Sequence, residues 1–160
     1  MSGPNVTWEG PEPEAGPAPG IQFASPGARL VGYIVDLAIQ FVVVIVLGII
    51  AIILGVIIPL LAFIPALLII LVSIGYFPYF WVEGGQTPGM SIMKIKVVRD
   101  EDGGPITWGP AILRWIGFWV STFVFYIGFI WIFVDKRRRG WMDLLAGTVV
   151  IAAPPPPYLR

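Results

Sequence analysis

The sequence predicts an all-α polytopic membrane protein: three hydrophobic helical segments with a small β-hairpin or sheet on the cytoplasmic side. Three observations carry this. Hydrophobic residues make up 57% of the 160-residue chain and charged residues only 12%, about half the charged share of an average soluble domain. No Asp, Glu, Lys or Arg occurs between Asp36 and Glu83, an interval about twice the roughly 20 residues that cross a hydrocarbon core. Prolines and aromatic residues then cut the apolar sequence into pieces of bilayer-spanning length. A water-soluble fold needs more polar surface than this chain carries.

Composition also excludes chemistry. Net charge is zero, which does not point to nucleic acid as a partner. The chain has neither Cys nor His, so thiolate nucleophiles, disulfides, imidazole relays and most zinc sites cannot be built. No metal or cofactor motif, phosphate-cradling glycine loop or nucleophile with a base is visible, and an enzyme is not expected.

Residues 1–27 hold Pro4, Pro11, Pro13, Pro17, Pro19 and Pro26 with several glycines, the composition of a disordered tail. They lack the basic start and apolar run of a secretory signal. The transmembrane domain is expected over 28–152. Its first helix runs from about Ala28 to Ile58, with Ser25 or Pro26 as entry residues. Pro59 and Pro65 break the apolar run, since a proline inside a helix removes a hydrogen bond and clashes with the preceding turn. A second helix follows from about Pro65 to Val82, and its Tyr76, Tyr79 and Trp81 suit a membrane interface. The first two segments form an antiparallel pair.

Gly84, Gly85, Pro88 and Gly89 then predict a loop. Lys94–Val98 alternates as a strand does, and a polar turn over 99–104 leads to Pro105-Ile106-Thr107, predicting a surface hairpin. Thr148–Ile151 is a further candidate strand that could join it. The third hydrophobic segment runs from about Pro110 to Val134, rich in aromatic anchors, and ends at Lys136-Arg137-Arg138-Arg139. That run reads as a solvated positive-inside anchor. Pro154-Pro155-Pro156-Pro157-Tyr158, within a tail of 153–160, favours an extended polyproline conformation.

The charges leave two topologies open. Three full crossings are the simpler, because roughly 25 residues span with tilt, but they put the two basic stretches on opposite sides. A third segment that breaks near Gly128 and returns to its face of entry puts all basic residues on the cytoplasmic side. Backbone of that kind is tolerated where protein satisfies it.

Ionisable groups at the edge of apolar segments are the functional candidates. Arg29 and Asp36 lie seven positions apart on one face of the first helix, about 10 Å along its axis, so each is expected to meet a partner elsewhere. Arg114, at the start of the third segment, is a candidate ion-pair partner for Asp36. Asp36 reads either as a structural ion pair that fixes helix packing or as an ion or proton site. Asp143 reads as a cap or a salt bridge to nearby arginines, or as a functional carboxylate.

These residues carry a resemblance. Gly27-Ala28-Arg29-Leu30 with Asp36, Gly85-Gln86-Thr87-Pro88-Gly89 followed by Val97-Val98 and Asp102-Gly103, and the run Asp135–Val150 resemble the three motifs of the RDD family in order. The resemblance covers about residues 26–152 and implies that Arg29, Asp36 and Asp143 are the signature triad. The chain departs from the family pattern at Met90-Ser91, where basic residues are usual, and at Met142, where His is common. Some family members are linked to exchange of sodium or other cations for protons. The resemblance implies a multi-pass protein of a prokaryotic plasma membrane, and the charge pattern leads to the expectation that basic loops and N-terminal tail are cytoplasmic. Its expected role is structural or accessory, through the bilayer, a second copy or other membrane proteins. The alternative is a cation/proton antiporter, or a subunit of one, using Asp36 with help from Asp143.

Overall fold

The computed structural model describes residues 21–153. The expected tail over residues 1–20 and the polyproline segment 154–160 lie outside the described residues. Residues 21–27 belong to the fold, which corrects the tail boundary placed at 27. Phe23 bridges Ile151, Ala24 N–H donates to the Val150 carbonyl at 2.9 Å, and Ser25 caps the first helix by accepting from Ala28 N–H at 3.2 Å.

Helix α1 (Pro26–Ile57) begins where expected, on a Ser-Pro entry that satisfies a free N–H and pre-sets the first helical turn. Its 32 residues extend about 48 Å, longer than a hydrocarbon core of about 30 Å. The first turns can therefore serve the polar layer while the rest stays in apolar surroundings. A single 3-10 turn (Pro59–Ala62) reverses the chain into α2 (Phe63–Glu83). Both helices are long and apolar enough to cross a membrane.

After α2 come the short α3 (Pro88–Ile92) and strand β1 (Ile95–Arg99). β1 pairs antiparallel with β2 (Thr148–Ala152), aligning Val97 with Val150 and Arg99 with Thr148. The expected sheet is therefore present, but Pro105-Ile106-Thr107 is not its second strand. Pro105 has no N–H to give a ladder, and Ile106 is instead buried in the core with Trp81, Met90 and Val97. Alternation along the strands feeds two apolar clusters. Ile95, Val97 and Val150 face the helices, while Val98, Val149 and Ile151 pack on Phe23.

The third hydrophobic segment is not one helix. Helix α4 (Trp108–Phe123) ends at Val124, and Phe125 and Tyr126 take left-handed φ values of 49° and 60°. Then α5 (Ile127–Ile130) continues into a 3-10 turn, Trp131–Phe133. The two arms are bent by 111°. Gly128 lies inside the return arm, not at the break, and any Cβ there would collide with the Ser121 side chain. Both ends of the segment lie beside the sheet: Ile106, just before α4, is buried with Val97 and Val150, and after the segment Arg137 and Arg139 pair with Asp100, just after β1, at 2.6 and 3.1 Å. Helix α6 (Trp141–Ala146) then leads through Gly147, with φ of 62°, into β2.

Candidate functional site

The four ionisable residues singled out by sequence fall into two buried polar clusters, and the grouping differs from expectation. Arg114 does not pair with Asp36; it pairs with Asp143, as does Arg29. Asp143 Oδ2 accepts from Arg29 Nη1 at 2.7 Å and from Gly140 N–H at 2.9 Å. Its Oδ1 accepts from Arg114 Nη1, which also donates to Thr148 Oγ1 at 2.9 Å. Arg29, Arg114 and Asp143 are 3%, 0% and 0% exposed, so the three charges sit away from solvent and must compensate one another.

Local sequence explains how they meet. Asp143 occupies the first turn of α6, where a carboxylate is favoured by the helix dipole and by an unpaired N–H, here that of Gly140. Gly117 presses α4 onto α6, since an added Cβ would lie 2.7 Å from Met142 Cα. That close approach brings Arg114, three residues earlier, onto the carboxylate. The Arg114 guanidinium also lies 4.8 Å from the Trp81 ring centroid, a cation–π contact that ties α2 to the cluster. Burial pushes the Asp143 carboxyl up, but Arg114 and Arg29 outweigh it and hold it below the ordinary carboxylate range.

The second cluster surrounds Asp36, which is fully buried. Its Oδ1 accepts from Tyr76 Oη at 2.9 Å and from Gly89 N–H at 2.8 Å, and its Oδ2 accepts from Thr87 Oγ1. The loop sequence suits the task residue by residue. Gln86 Nε2 donates to the Ile95 carbonyl at 2.9 Å, holding loop to strand. Thr87 Oγ1 caps α3 by accepting from Met90 N–H at 3.1 Å while its hydroxyl serves Asp36. Pro88 starts the helix. Gly89 lets α3 touch α1, because a Cβ there would collide with the Gly32 carbonyl and lie 2.8 Å from Asp36 Cγ.

Sequence reasoning did not assign Tyr33, Tyr76, Thr87 or Thr148. Tyr76 reads as an interfacial ring, yet its hydroxyl faces Asp36. Thr87-Pro88 carried a usable signal, the cap-then-proline start of a helix. Nothing local marks Thr148 or Tyr33, whose hydroxyl donates toward Met142 Sδ at 3.5 Å and accepts from Arg114 Nη2 at 3.5 Å. Met142 thus fills a buried position where the family resemblance led to an expectation of His.

A third, more exposed set joins the basic run to the sheet. Asp135 Oδ2 accepts from Arg137 N–H, Arg139 N–H and Arg139 Nε at 3.0–3.1 Å. The run is therefore partly paired with carboxylates and not wholly solvated. The hydrogen bond from Arg139 holds the Asp135 carboxyl below its ordinary range, against the opposing effect of burial. Among the described residues no group of three or more His, Cys, Asp or Glu side chains is placed to hold a metal ion.

Two long apolar helices, a broken third segment and a charged cluster sealed beneath a small sheet define a membrane protein. A family model described as the RDD family matches residues 23–147, and the chain belongs to that family. The chain is 28% identical over 88 residues to a proline-rich antigen homolog of Mycobacterium tuberculosis, covering 51% of this chain and 37% of that protein. It is 30% identical over 67 residues to the proline-rich antigen of Mycobacterium leprae, covering 42% of this chain and 27% of that protein. An uncharacterised protein of Bacillus subtilis, YxaI, is 36% identical over 86 residues, covering 53% of this chain and 56% of that protein. The chain thus spans between about a quarter and just over half of the length of these relatives. No solved structure matches.

Proposed function

We propose that this chain is a non-enzymatic structural or accessory protein of a prokaryotic plasma membrane, acting through contacts with lipid and with other membrane proteins or a second copy. The observation that carries the reading is the engagement of both oxygens of Asp36. Both carboxylate oxygens are occupied by donors from α2, the loop and α3. An exchange site must bind and release its ion in turn, whereas this carboxylate is used to hold three elements together. The Arg29–Asp143–Arg114 cluster likewise bonds α1, α4, α6 and β2. Outside the clusters, α1 and α2 expose large apolar side chains such as Phe41, Ile52 and Leu67, a surface suited to lipid or a partner helix.

In the proposed topology α1 and α2 cross, and the third segment enters and returns by one face. The pairing of Arg137 and Arg139 with Asp100 supports that arrangement. It gathers the basic residues on one side, which the positive-inside tendency makes cytoplasmic.

Proteoliposomes loaded with a proton-sensitive dye test the reading. The expected result is no proton flux on a sodium, lithium or potassium gradient, with Asp36→Asn lowering stability. Cation-driven flux in the wild-type protein, abolished in a folded Asp36→Asn variant, would overturn the reading in favour of exchange.

A further inference from the structure

One cavity adjoins the Arg29–Asp143–Arg114 cluster, sharing Arg29 and Tyr33 with it, and runs on beyond it. A cleft of about 390 Å³ lies between the start of α1 and the return arm of the third segment. Its walls are almost wholly apolar, with Leu30, Leu37, Phe118 and Phe129 prominent among them. It follows α1 from Pro26 to Leu37, eleven positions or about 16 Å at 1.5 Å per residue. That length is close to one leaflet of a hydrocarbon core about 30 Å thick. At the Pro26 end a second hollow of about 410 Å³ shares Pro26, Ile132 and Phe133 with the cleft and is lined by Lys136 and Arg138. Asp135 also lines that hollow, but it is hydrogen-bonded to Arg139.

An apolar slot one leaflet long that opens into a hollow presenting the Lys136 ammonium is complementary to an amphiphile with a negative head. Arg29 adds a third feature. It lines the cleft one turn inside the mouth, is 3% exposed, and its Nε has no hydrogen-bond partner among the described groups. A buried donor without an acceptor costs free energy that an incoming carbonyl recovers.

We propose that this cleft binds one anionic phospholipid. The phosphate lies against Lys136, an ester carbonyl accepts from Arg29 Nε, and an acyl chain runs along α1 past Tyr33 to Leu37. The lipid then fills the gap between α1 and the broken segment. The inference rests on the membrane placement proposed above, which site-specific labelling at position 136 checks separately.

Gly27 supplies a selective test. It lines the cleft, and an added Cβ would meet nothing within 4 Å, so Gly27→Leu is accommodated at its first carbon, occupies slot volume with the rest, and has better helix propensity. Gly48, also open within 4 Å but outside the cleft, gives the control Gly48→Leu. The delipidated full chain is titrated with phosphatidylglycerol or phosphatidylcholine and read by native mass spectrometry. The expected result is one saturable phosphatidylglycerol adduct, weakened at least about tenfold by Gly27→Leu and about fivefold by Lys136→Gln, and unchanged by Gly48→Leu. Equal binding of phosphatidylcholine, an adduct insensitive to Gly27→Leu, or full competition by inorganic phosphate would each overturn the proposal. A far-ultraviolet circular dichroism spectrum of each variant matching wild type shows that a lost adduct is not a lost fold.

Discussion

Replacing Asp143 by Asn tests the central physical claim, that one carboxylate holds two buried guanidiniums in place. Arg29 and Arg114 are 3% and 0% exposed, so neither can turn to water when the charge is removed. At about 4 Å between charge centres and an effective dielectric near 20, each attraction is on the order of 4 kcal/mol. Part of this is offset because the carboxylate no longer has to be desolvated. Removing one member of a buried pair costs about 3–5 kcal/mol net. Here a single substitution strands two cations and also weakens the bond to Gly140 N–H. A loss of at least about 4 kcal/mol is therefore expected, against a total stability typically near 5–15 kcal/mol.

The assay is unfolding in mixed micelles by increasing dodecyl sulfate, followed by tryptophan emission. Trp81, beneath the Arg114 guanidinium, is one of the seven tryptophans that contribute to the signal. The companion variant replaces all three charges by apolar residues, Arg29→Met with Arg114→Met and Asp143→Leu. It should recover most of the lost stability, because well-packed apolar groups replace a buried ionic cluster at little net cost. An Asp143→Asn protein within about 1 kcal/mol of wild type, the range of an exposed ion pair, would refute the reasoning.

Other expectations follow from the same geometry. Gly89→Ala should cost about 1–3 kcal/mol in the same unfolding assay, since its Cβ collides with the Gly32 carbonyl; wild-type stability would show that α1 and α3 are not held so close. Thr87→Val should cost a comparable amount, because it removes both the donor to Asp36 and the acceptor for Met90 N–H. The lowered Asp135 pKa means that its contribution is present above the ordinary unfolded value, about 3.9, and is lost as pH falls through the lower folded value. Exchange protection of the Arg137 and Arg139 amides, both bonded to Asp135, should hold down to about pH 4 and be lost only below it; collapse already near pH 6 would contradict that. In a chain without native cysteine, Glu101→Cys and Lys136→Cys should label from one face of a sealed vesicle and Leu61→Cys from the other. Labelling of positions 101 and 136 from opposite faces would restore three full crossings.

The membrane class and the two long helices were legible in the sequence because they depend on local and cumulative properties. A charge-free run from Asp36 to Glu83 has few alternatives in water, and Pro59 with Pro65 must interrupt it wherever it lies. The Ser25-Pro26 entry is likewise a property of a few bonded neighbours. The importance of Arg29, Asp36 and Asp143 was visible too, since a charge beside apolar sequence has to find a partner.

Which partner it finds depends on the tertiary structure. Arg114 follows Asp36 by many residues and precedes Asp143 by fewer, but neither separation sets a distance in space. Gly117 decides the outcome by letting α4 close on Met142, which delivers Arg114 to Asp143. Asp36 is left to the Tyr76 hydroxyl, which α2 supplies, and to the Thr87 hydroxyl and Gly89 amide, which the return of the loop onto α1 supplies. The strand pairing has the same origin. Pro105-Ile106-Thr107 is nearer to β1 in sequence, but β2 offers an unbroken ladder and seals both apolar clusters. Sequence alone determined that this protein has apolar helices and a few ionisable residues that must be compensated. Tertiary packing decided the pairs, because the energy of a buried charge depends on what lies within a few ångströms, whatever its distance along the chain.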